Sequence, residues 1–463
     1  MITREDALLV NRRLKSAVGS ALPERARRLA GNLYSRYQEF DANRAFAGRS
    51  LPDVTRGDDA PDHVVCIVVD ALRADAVTEE TTPCLAGLGG TTAVAPAPWT
   101  FPSVASLFTG QYPHEHGAMR QSDDADDATG EEITLPPGLP EGHVTLPEYL
   151  AGAGYDTYGA FGFQMPFLSA SGRFGTHELY RDADAPDVFE DYLAWLGERP
   201  DRPTFAYLHL SDLHEPVEPP EAYARDHDVD LDIPRISQWD YTDTAEGPDV
   251  DRYRTHRTRL YEAAVDYVDD EIETFLARMS GRVNADPAVI VTGDHGEAFW
   301  EHATFDAERF YDSRPAYCVG HGGTPYESIR RVPLHTSGIE FEGGPTSLID
   351  IAPTLLEKVG IAVPEGMTGY SHRNPVPEDR ALLTESARYG HEKKAVTAGE
   401  WKLLVSIGDE CRVGFSLPEE TPADLPESVR SDLEAELPPW PEGGDARMVS
   451  GSVQRRLEHL GYT

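Results

Sequence analysis

Lysine is nearly missing from this sequence. Only Lys15, Lys358, Lys393, Lys394 and Lys402 occur in 463 residues, and arginine supplies the rest of the 41 cations. Even together these are outnumbered by 80 Asp and Glu, for a formal net charge of −39. A body of that charge repels phosphate backbones, which excludes nucleic acid as a partner. Cysteine is scarce as well. Cys66, Cys84, Cys318 and Cys411 lie far apart, with no CxxC or Cys/His pair at zinc spacing. That argues against a disulfide framework and predicts reduced thiols. No long apolar run exists either. The longest is a strand-sized stretch around Val64–Val69, whereas a membrane span needs about 20 apolar residues. With no apolar h-region near the N-terminus, the expectation is a cytoplasmic protein without a transmembrane segment.

What is present builds a core. The chain is 40% hydrophobic, enough to exclude global disorder. The acidic, Lys-poor balance reads as salt adaptation of haloarchaeal type, with an acidic mesophilic enzyme as the alternative: at 1 M salt the Debye length shrinks to about 3 Å and self-repulsion is screened. The charge is unevenly spread. Residues 1–50 carry ten basic and five acidic residues, against 31 and 75 in the remainder. This basic segment reads as helical, with Thr3 capping a run through Lys15 and Pro23 opening a second with Leu29, Leu33 and Tyr37 at four-residue spacing. Such an arm has three candidate contacts: the acidic body of its own chain, an acidic partner or an anionic membrane surface.

From His63 the pattern changes. HVVCIVVD, TFAYLHLSD (Thr204–Asp212) and PAVIVTGDHG (Pro287–Gly296) are continuous apolar strands, each ending in an acidic or His-bearing turn. Helical stretches such as Thr145–Ala153 and Arg252–Met279 lie between them, so a mostly parallel α/β sheet is predicted, with ligands at the strands' carboxyl ends. KAVTAG, EWKLLVSI and RVGFSL, short strands near the C-terminus, predict a small antiparallel sheet, followed by a polar helical tail from Glu427. Asp123–Asp127 reads as a solvated acidic loop.

Chemistry gathers at Asp70, at Thr100 in PWTFPSVASLFTG, and at Asp294–His295 in TGDHGE. Two carboxylates, an imidazole and a hydroxyl suit one divalent cation, with Mn, Mg, Ca and Zn all compatible. A metal on the Thr100 hydroxyl would supply an alkoxide nucleophile. Thr100 also opens a helix, whose N-terminal amides favour an anionic substrate.

Seven motifs carry a resemblance. VVDALRAD (Val68–Asp75), TFPSVASLFTGQYPHEHG (Thr100–Gly117), TLPEYLAGAGYDT (Thr145–Thr157), HLSDLHEP (His209–Pro216), TGDHGEAFWEH (Thr292–His302), GHGGTPYESIRRVPL (Gly320–Leu334) and SLIDIAPTLLEKVGI (Ser347–Ile361) follow one another in order. The chain thereby resembles the sulfatase branch of the alkaline phosphatase superfamily. The resemblance implies an α/β/α sandwich with a small C-terminal subdomain, organised as a basic helical extension (1–60), a catalytic domain (61–375) and a small subdomain (376–463). It implies metal-dependent hydrolysis of a sulfate or phosphate ester, so the partner is an anionic ester substrate. Asp70, Asp294 and His295 fall on its metal-ligand positions and Thr100 on the nucleophile. His214 falls near the leaving group, and His321 where many sulfatases place a lysine on the substrate anion. Arg73 completes the family's D-x-x-R pattern as a substrate-binding residue. His214 and His321, with Asp212, leave room for a second metal. His116 and His302 read as local hydrogen-bonding residues, Glu297 as a partner orienting His295, and Trp99 and Tyr112 as core or pocket wall.

Two departures bear on the reaction. Family sulfatases carry Cys or Ser in C/S-x-P-S-R and convert it to formylglycine; here the string is Thr100-Phe101-Pro102-Ser103-Val104, and threonine cannot make that aldehyde. Ala71 stands where a second acidic ligand usually follows the first. The set resembles relatives that use an unmodified threonine on phosphate esters, so a phosphoester hydrolase leads. A phosphoglycerol-transferase-like transferase and a non-catalytic binding protein are the alternatives. One prediction follows from charge alone: moving from molar salt to dilute buffer lowers the melting temperature as screening is lost, and an unchanged Tm would contradict the salt-adaptation reading.

Overall fold

His63 and six consecutive apolar residues, four of them β-branched valines and one isoleucine, make strand β1 (His63–Val69), every residue of which is buried. This computed structural model describes residues 24–120, 134–181, 183–199, 201–231, 246–314, 317–341, 343–440 and 447–448. The central sheet adds β2 (Gly90–Val94), β3 (Asp156–Phe161), β4 (Thr176–Leu179), β5 (Thr204–Leu210), β6 (Ala288–Gly293) and β7 (Arg331–Ser337). Its order is β2-β7-β6-β1-β5-β3-β4. Strand β1 pairs in parallel with β5 and β6, Val64 standing opposite Phe205 on one side and Ala288 on the other. Only β7 runs against the rest.

Because side chains alternate across a strand, the continuous apolar runs feed two cores. Val64, Cys66 and Val68 join Phe205, Tyr207 and Ile290 on one face, against helices α2 (Thr100–Thr109), α3 (Leu146–Gly152) and α6 (Ile351–Lys358). Val65, Ile67 and Val69 join Ala206, Leu208 and Val291 on the other, against α4 (Ala185–Gly197) and α5 (Pro248–Ser280). The result is the predicted α/β/α sandwich. Helix α5 starts four residues before the expected Arg252, with Pro248 in its first turn, where a missing N–H costs nothing.

The small antiparallel sheet is present, in the order β8 (Leu382–Thr384), β9 (Lys394–Ala398), β10 (Trp401–Ser406), β11 (Cys411–Ser416), β12 (Thr421–Pro422). Helix α7 (Glu427–Ala435) follows. All four cysteines are free. Among the described residues no helix is long and apolar enough to cross a membrane. The expected Thr3–Lys15 helix and the Asp123–Asp127 loop lie outside the described residues. Helix α1 (Glu24–Ala47) is described, but Leu33 and Tyr37 point to solvent; the helix meets the body through Ser35 and Ala42, which are buried.

The small sheet is latched to the sandwich through Glu385, which pairs with Lys394 of its own subdomain and reaches His114 and Pro96 of the sandwich. Glu385 accepts hydrogen bonds from Lys394 Nζ at 2.7 Å and from the His114 backbone and ring at 2.8 and 2.6 Å, and its own amide donates to the Pro96 carbonyl. Burial alone would raise the Glu385 carboxyl, but His114 and Lys394 outweigh it and hold it below the usual range. Removing one partner of such a pair strands the other charge. Glu385→Ala should therefore cost about 3–5 kcal/mol in chemical denaturation. A depressed carboxyl adds stability that is present above its unfolded pKa and lost as pH falls through the folded one. The gap between wild type and Glu385→Gln should close below the ordinary glutamate value of about 4.3, and a pH-independent gap would contradict the latch.

Candidate active site

The parallel strands end at one edge, and their next residues meet there. β1 runs into Asp70, and β6 into Asp294 and His295. The turn after β1 is sharp: Ala71 adopts φ 62°, in the left-handed region that few non-glycine residues occupy. Its N–H donates to Asp294 Oδ1 at 3.3 Å, and His295 N–H donates to the same oxygen at 3.0 Å. Glycines flank the Asp294–His295 pair for a steric reason. A Cβ on Gly293 would lie 2.5 Å from the Leu72 carbonyl oxygen, and one on Gly296 2.1 Å from that of Ser328. Helix α2 delivers Thr100 at its first residue, where the free amides and the positive dipole end face the edge. Ser103, one turn on, donates to the Asp294 carbonyl at 2.6 Å and fixes the helix to the loop.

The Thr100 hydroxyl sits 3.1 Å from Asp70 Oδ2 and 3.2 Å from His295 Nε2. Ligand atoms of Asp70, Asp294 and His295 lie within 4.8 Å of one another, the geometry of a candidate metal cluster. All four residues are fully buried. Three features fit a divalent cation. Asp70 Oδ1 and Asp294 Oδ2 are buried with no hydrogen-bond partner. His295 Nδ1 is 2.9 Å from the Gly296 carbonyl, so its proton belongs there and the Nε2 lone pair faces the carboxylates. The two carboxylates also crowd one another: burial and the Asp294 charge push Asp70 well above the usual range. Burial would lower His295, but Asp294 and Asp70 outweigh it and raise it. Concentrated negative charge with open lone pairs is what a bound cation neutralises.

His321 and His214 join the cluster. The His321 ring centroid is 4.4 Å from that of His295 and 5.1 Å from that of His214. His321 Nδ1 meets Glu297 Oε2 at 2.8 Å, and His214 Nδ1 meets the Glu215 carbonyl at 2.8 Å, so both rings turn Nε2 inward. Burial, then the neighbouring His321, lowers His214 to about 3; burial, then His295, holds His321 well below its ordinary value. Glu297 thus serves His321, not His295 as expected, because Gly296 supplies His295's acceptor. Behind it Arg257 bridges Glu297 and Glu215.

Other expectations change. Arg73 does not turn to Thr100. Its guanidinium pairs with Asp75 and Glu301 and donates to the Glu297 carbonyl at 2.9 Å, cross-linking the two strand-end loops. Asp212 does not join a second metal site; its Oδ1 accepts from Ala185 N–H at the start of α4. Among the described residues no second group of His, Cys, Asp and Glu gathers in the same way. His116 bonds Ser106 at 2.9 Å, and His302 pairs with Glu420. Trp99 is core, donating its indole N–H to the Ser386 carbonyl. His209 was missed. It stands in β5 opposite Val68, with Tyr207 Oη 2.7 Å from Nδ1 and Asp70 Oδ2 3.1 Å from Nε2. The signal lay in HLSDLHEP: a histidine in a fully buried strand, one pleat from an aspartate.

These elements build an α/β/α protein with its candidate site at the carboxyl edge of the sheet. It shares its fold with a solved protein of the alkaline phosphatase superfamily from Vibrio parahaemolyticus: 16% identity, TM-score 0.52, 86% of this chain and 93% of that one. Residues 62–361 match the model of the sulfatase family, and the chain belongs to that family. A phosphonate monoester hydrolase from Silicibacter pomeroyi has the same fold, at 17% identity and TM-score 0.58 over 81% of this chain and 93% of that one. An arylsulfatase of Clostridium perfringens is 25% identical over 214 residues, 41% of this chain and 41% of that relative's length.

The cluster makes one prediction. Purified wild type should carry about one divalent ion per chain by elemental analysis, and Asp70→Ala and Asp294→Ala should lose it with the fold intact by circular dichroism. Wild-type metal content in both variants would dissolve the assignment.

Proposed function

We propose that this chain is a metal-dependent hydrolase of phosphate esters with Thr100 as nucleophile. The observation that carries this is the Thr100 hydroxyl held between Asp70 and His295, beside Asp294, on a side chain that cannot become formylglycine. Asp70, Asp294, His295 and Thr100 would hold one divalent cation, which supplies charge stabilisation for the equatorial oxygens and acidifies the hydroxyl.

The chain's own residues then act in turn. Asp70 Oδ2 accepts the hydrogen bond of the Thr100 hydroxyl and is placed to receive its proton. His209, protonated at Nε2 when Tyr207 donates to Nδ1, holds that carboxylate in position. Thr100 Oγ attacks phosphorus, the bond to the leaving oxygen breaks, the departing alkoxide takes a proton from solvent, and a phosphothreonine forms. His321, its Nδ1–H fixed by Glu297, presents Nε2 as the proton carrier; His214 lies beside it. Water then attacks phosphorus and gives its proton to His321 Nε2, the Thr100–phosphorus bond breaks, Thr100 Oγ takes back the proton held by Asp70, and inorganic phosphate leaves. The α2 amides and Arg257, behind Glu297, offset negative charge that the substrate brings. Arg73 positions the strand-end loops in this reading and does not touch substrate.

The family match favours sulfate esters as a second reading, but a sulfothreonine lacks the geminal-diol route by which a formylglycine hydrate expels sulfate. Phosphothreonine is resolved by in-line attack, so phosphoesters are favoured. The test compares kcat/KM for aryl phosphate, aryl phosphodiester and aryl sulfate on one preparation in high salt, with Thr100→Ala as the blank. At least a tenfold phosphoester preference is expected, about 1.4 kcal/mol of transition-state stabilisation. A sulfate preference that vanishes in Thr100→Ala would reverse the assignment, and phosphoryl transfer to an added alcohol in place of hydrolysis would mark a transferase.

A further inference from the structure

Helix α1 lies along the edge strand β4. His177 N–H donates to Asn43 Oδ1 and Leu179 N–H to Glu39 Oε1, both at 2.9 Å, so the helix followed toward its N-terminus climbs β4 toward the carboxyl edge. Farther along, Tyr34 packs on the cluster of Trp99, Phe101 and Phe163 that adjoins the nucleophile helix. Away from these contacts the helix presents Leu33, Tyr37 and Phe40. They are 61%, 62% and 64% exposed, the most exposed large apolar side chains among the described residues. Their spacing of four and three places them on one stripe. Arg36 and Arg44, also exposed, flank it.

The stripe sits on the basic part of the chain. Residues 1–50 hold ten basic and five acidic residues, while the rest hold 31 and 75. An occupant must satisfy both characters. The acidic surface of a second copy would match the arginines, but among the described residues its other exposed large apolar side chains, Leu51, Leu231, Tyr311, Tyr370 and Ile407, come from five separate segments. Two stripes packed face to face would match the apolar groups but oppose two basic segments. An anionic lipid surface matches both, with phosphates for the arginines and an acyl boundary for Leu, Tyr and Phe.

We propose that α1 docks this protein on an anionic lipid surface through Leu33, Tyr37 and Phe40, with Arg36 and Arg44 on the headgroups. The acidic body opposes approach in dilute buffer. Salt screens that repulsion and leaves the apolar contribution in place, so docking persists in molar salt. The test is flotation of the full chain with vesicles of equal phosphatidylglycerol and phosphatidylcholine, in dilute and molar salt, beside particle mass measured without vesicles. Wild type should float with the vesicles. The triple variant Leu33→Ser, Tyr37→Ser, Phe40→Ser should bind at least roughly tenfold more weakly at an unchanged Tm, because only exposed side chains are altered. Absence of wild-type binding at both salt levels would overturn the proposal. So would equal flotation of the variant, or a wild-type dimer that becomes monomeric in the variant and shows no vesicle binding, which would assign the face to a second copy.

Discussion

Two carboxylates forced together in the dry carboxyl edge of the sheet govern the rest of the molecule. Asp70 and Asp294 are both fully buried, and burial together with the Asp294 charge raises the cost of charge on Asp70. The surroundings are arranged to bear that cost. Two backbone amides donate to Asp294 Oδ1, and His209 and Thr100 share Asp70 Oδ2. What those groups leave unmet, one oxygen on each carboxylate, is the attraction for a cation. A hydrophobic edge would fold more readily, but it would have nothing with which to attract a cation or hold the Thr100 hydroxyl in place.

Much of this was legible in the sequence because parallel strands buried on both faces leave an unmistakable run of apolar residues. Where the run stops at Asp70, or at Asp294 and His295, the site begins. Thr100 was legible from the helix start that follows it. The rest depended on which acceptor lies nearest, and linear sequence does not state that. Glu297 was matched to His295 by proximity along the chain, yet the Gly296 carbonyl is closer in space and leaves Glu297 to His321. Arg73 follows Asp70 by three residues, but a turn with Ala71 at positive φ carries it toward Asp75 and Glu301. His209 escaped notice because a histidine within an apolar strand reads as core, and only the register against β1 brings it to Asp70.

The five lysines show how an acidic chain spends its few ammonium groups. Lys393, Lys394 and Lys402 are all buried. Lys394 closes the Glu385 latch, Lys402 pairs with Glu420 and reaches the Pro325 carbonyl, and Lys393 is held by the carbonyls of Tyr311 and His391. Surface cation positions belong to arginine, whose planar, weakly hydrated head tolerates stacking on rings such as Trp195, 4.1 Å beneath Arg199. These three of the five lysines are interior fasteners of the small C-terminal sheet.

The indole of Trp99, the residue before Thr100, donates to a carbonyl 287 positions later in the chain. Glu385 and Arg388 close on Pro96 and on Gly322 in the same region. During synthesis, therefore, the sandwich strands emerge before the segment that packs against the start of α2 has left the ribosome. A nascent chain stalled ahead of residue 386 would own Asp70, Thr100, Asp294 and His295, yet lack this packing against Trp99. The surroundings of Thr100 are thereby completed only when most of the polypeptide has been made.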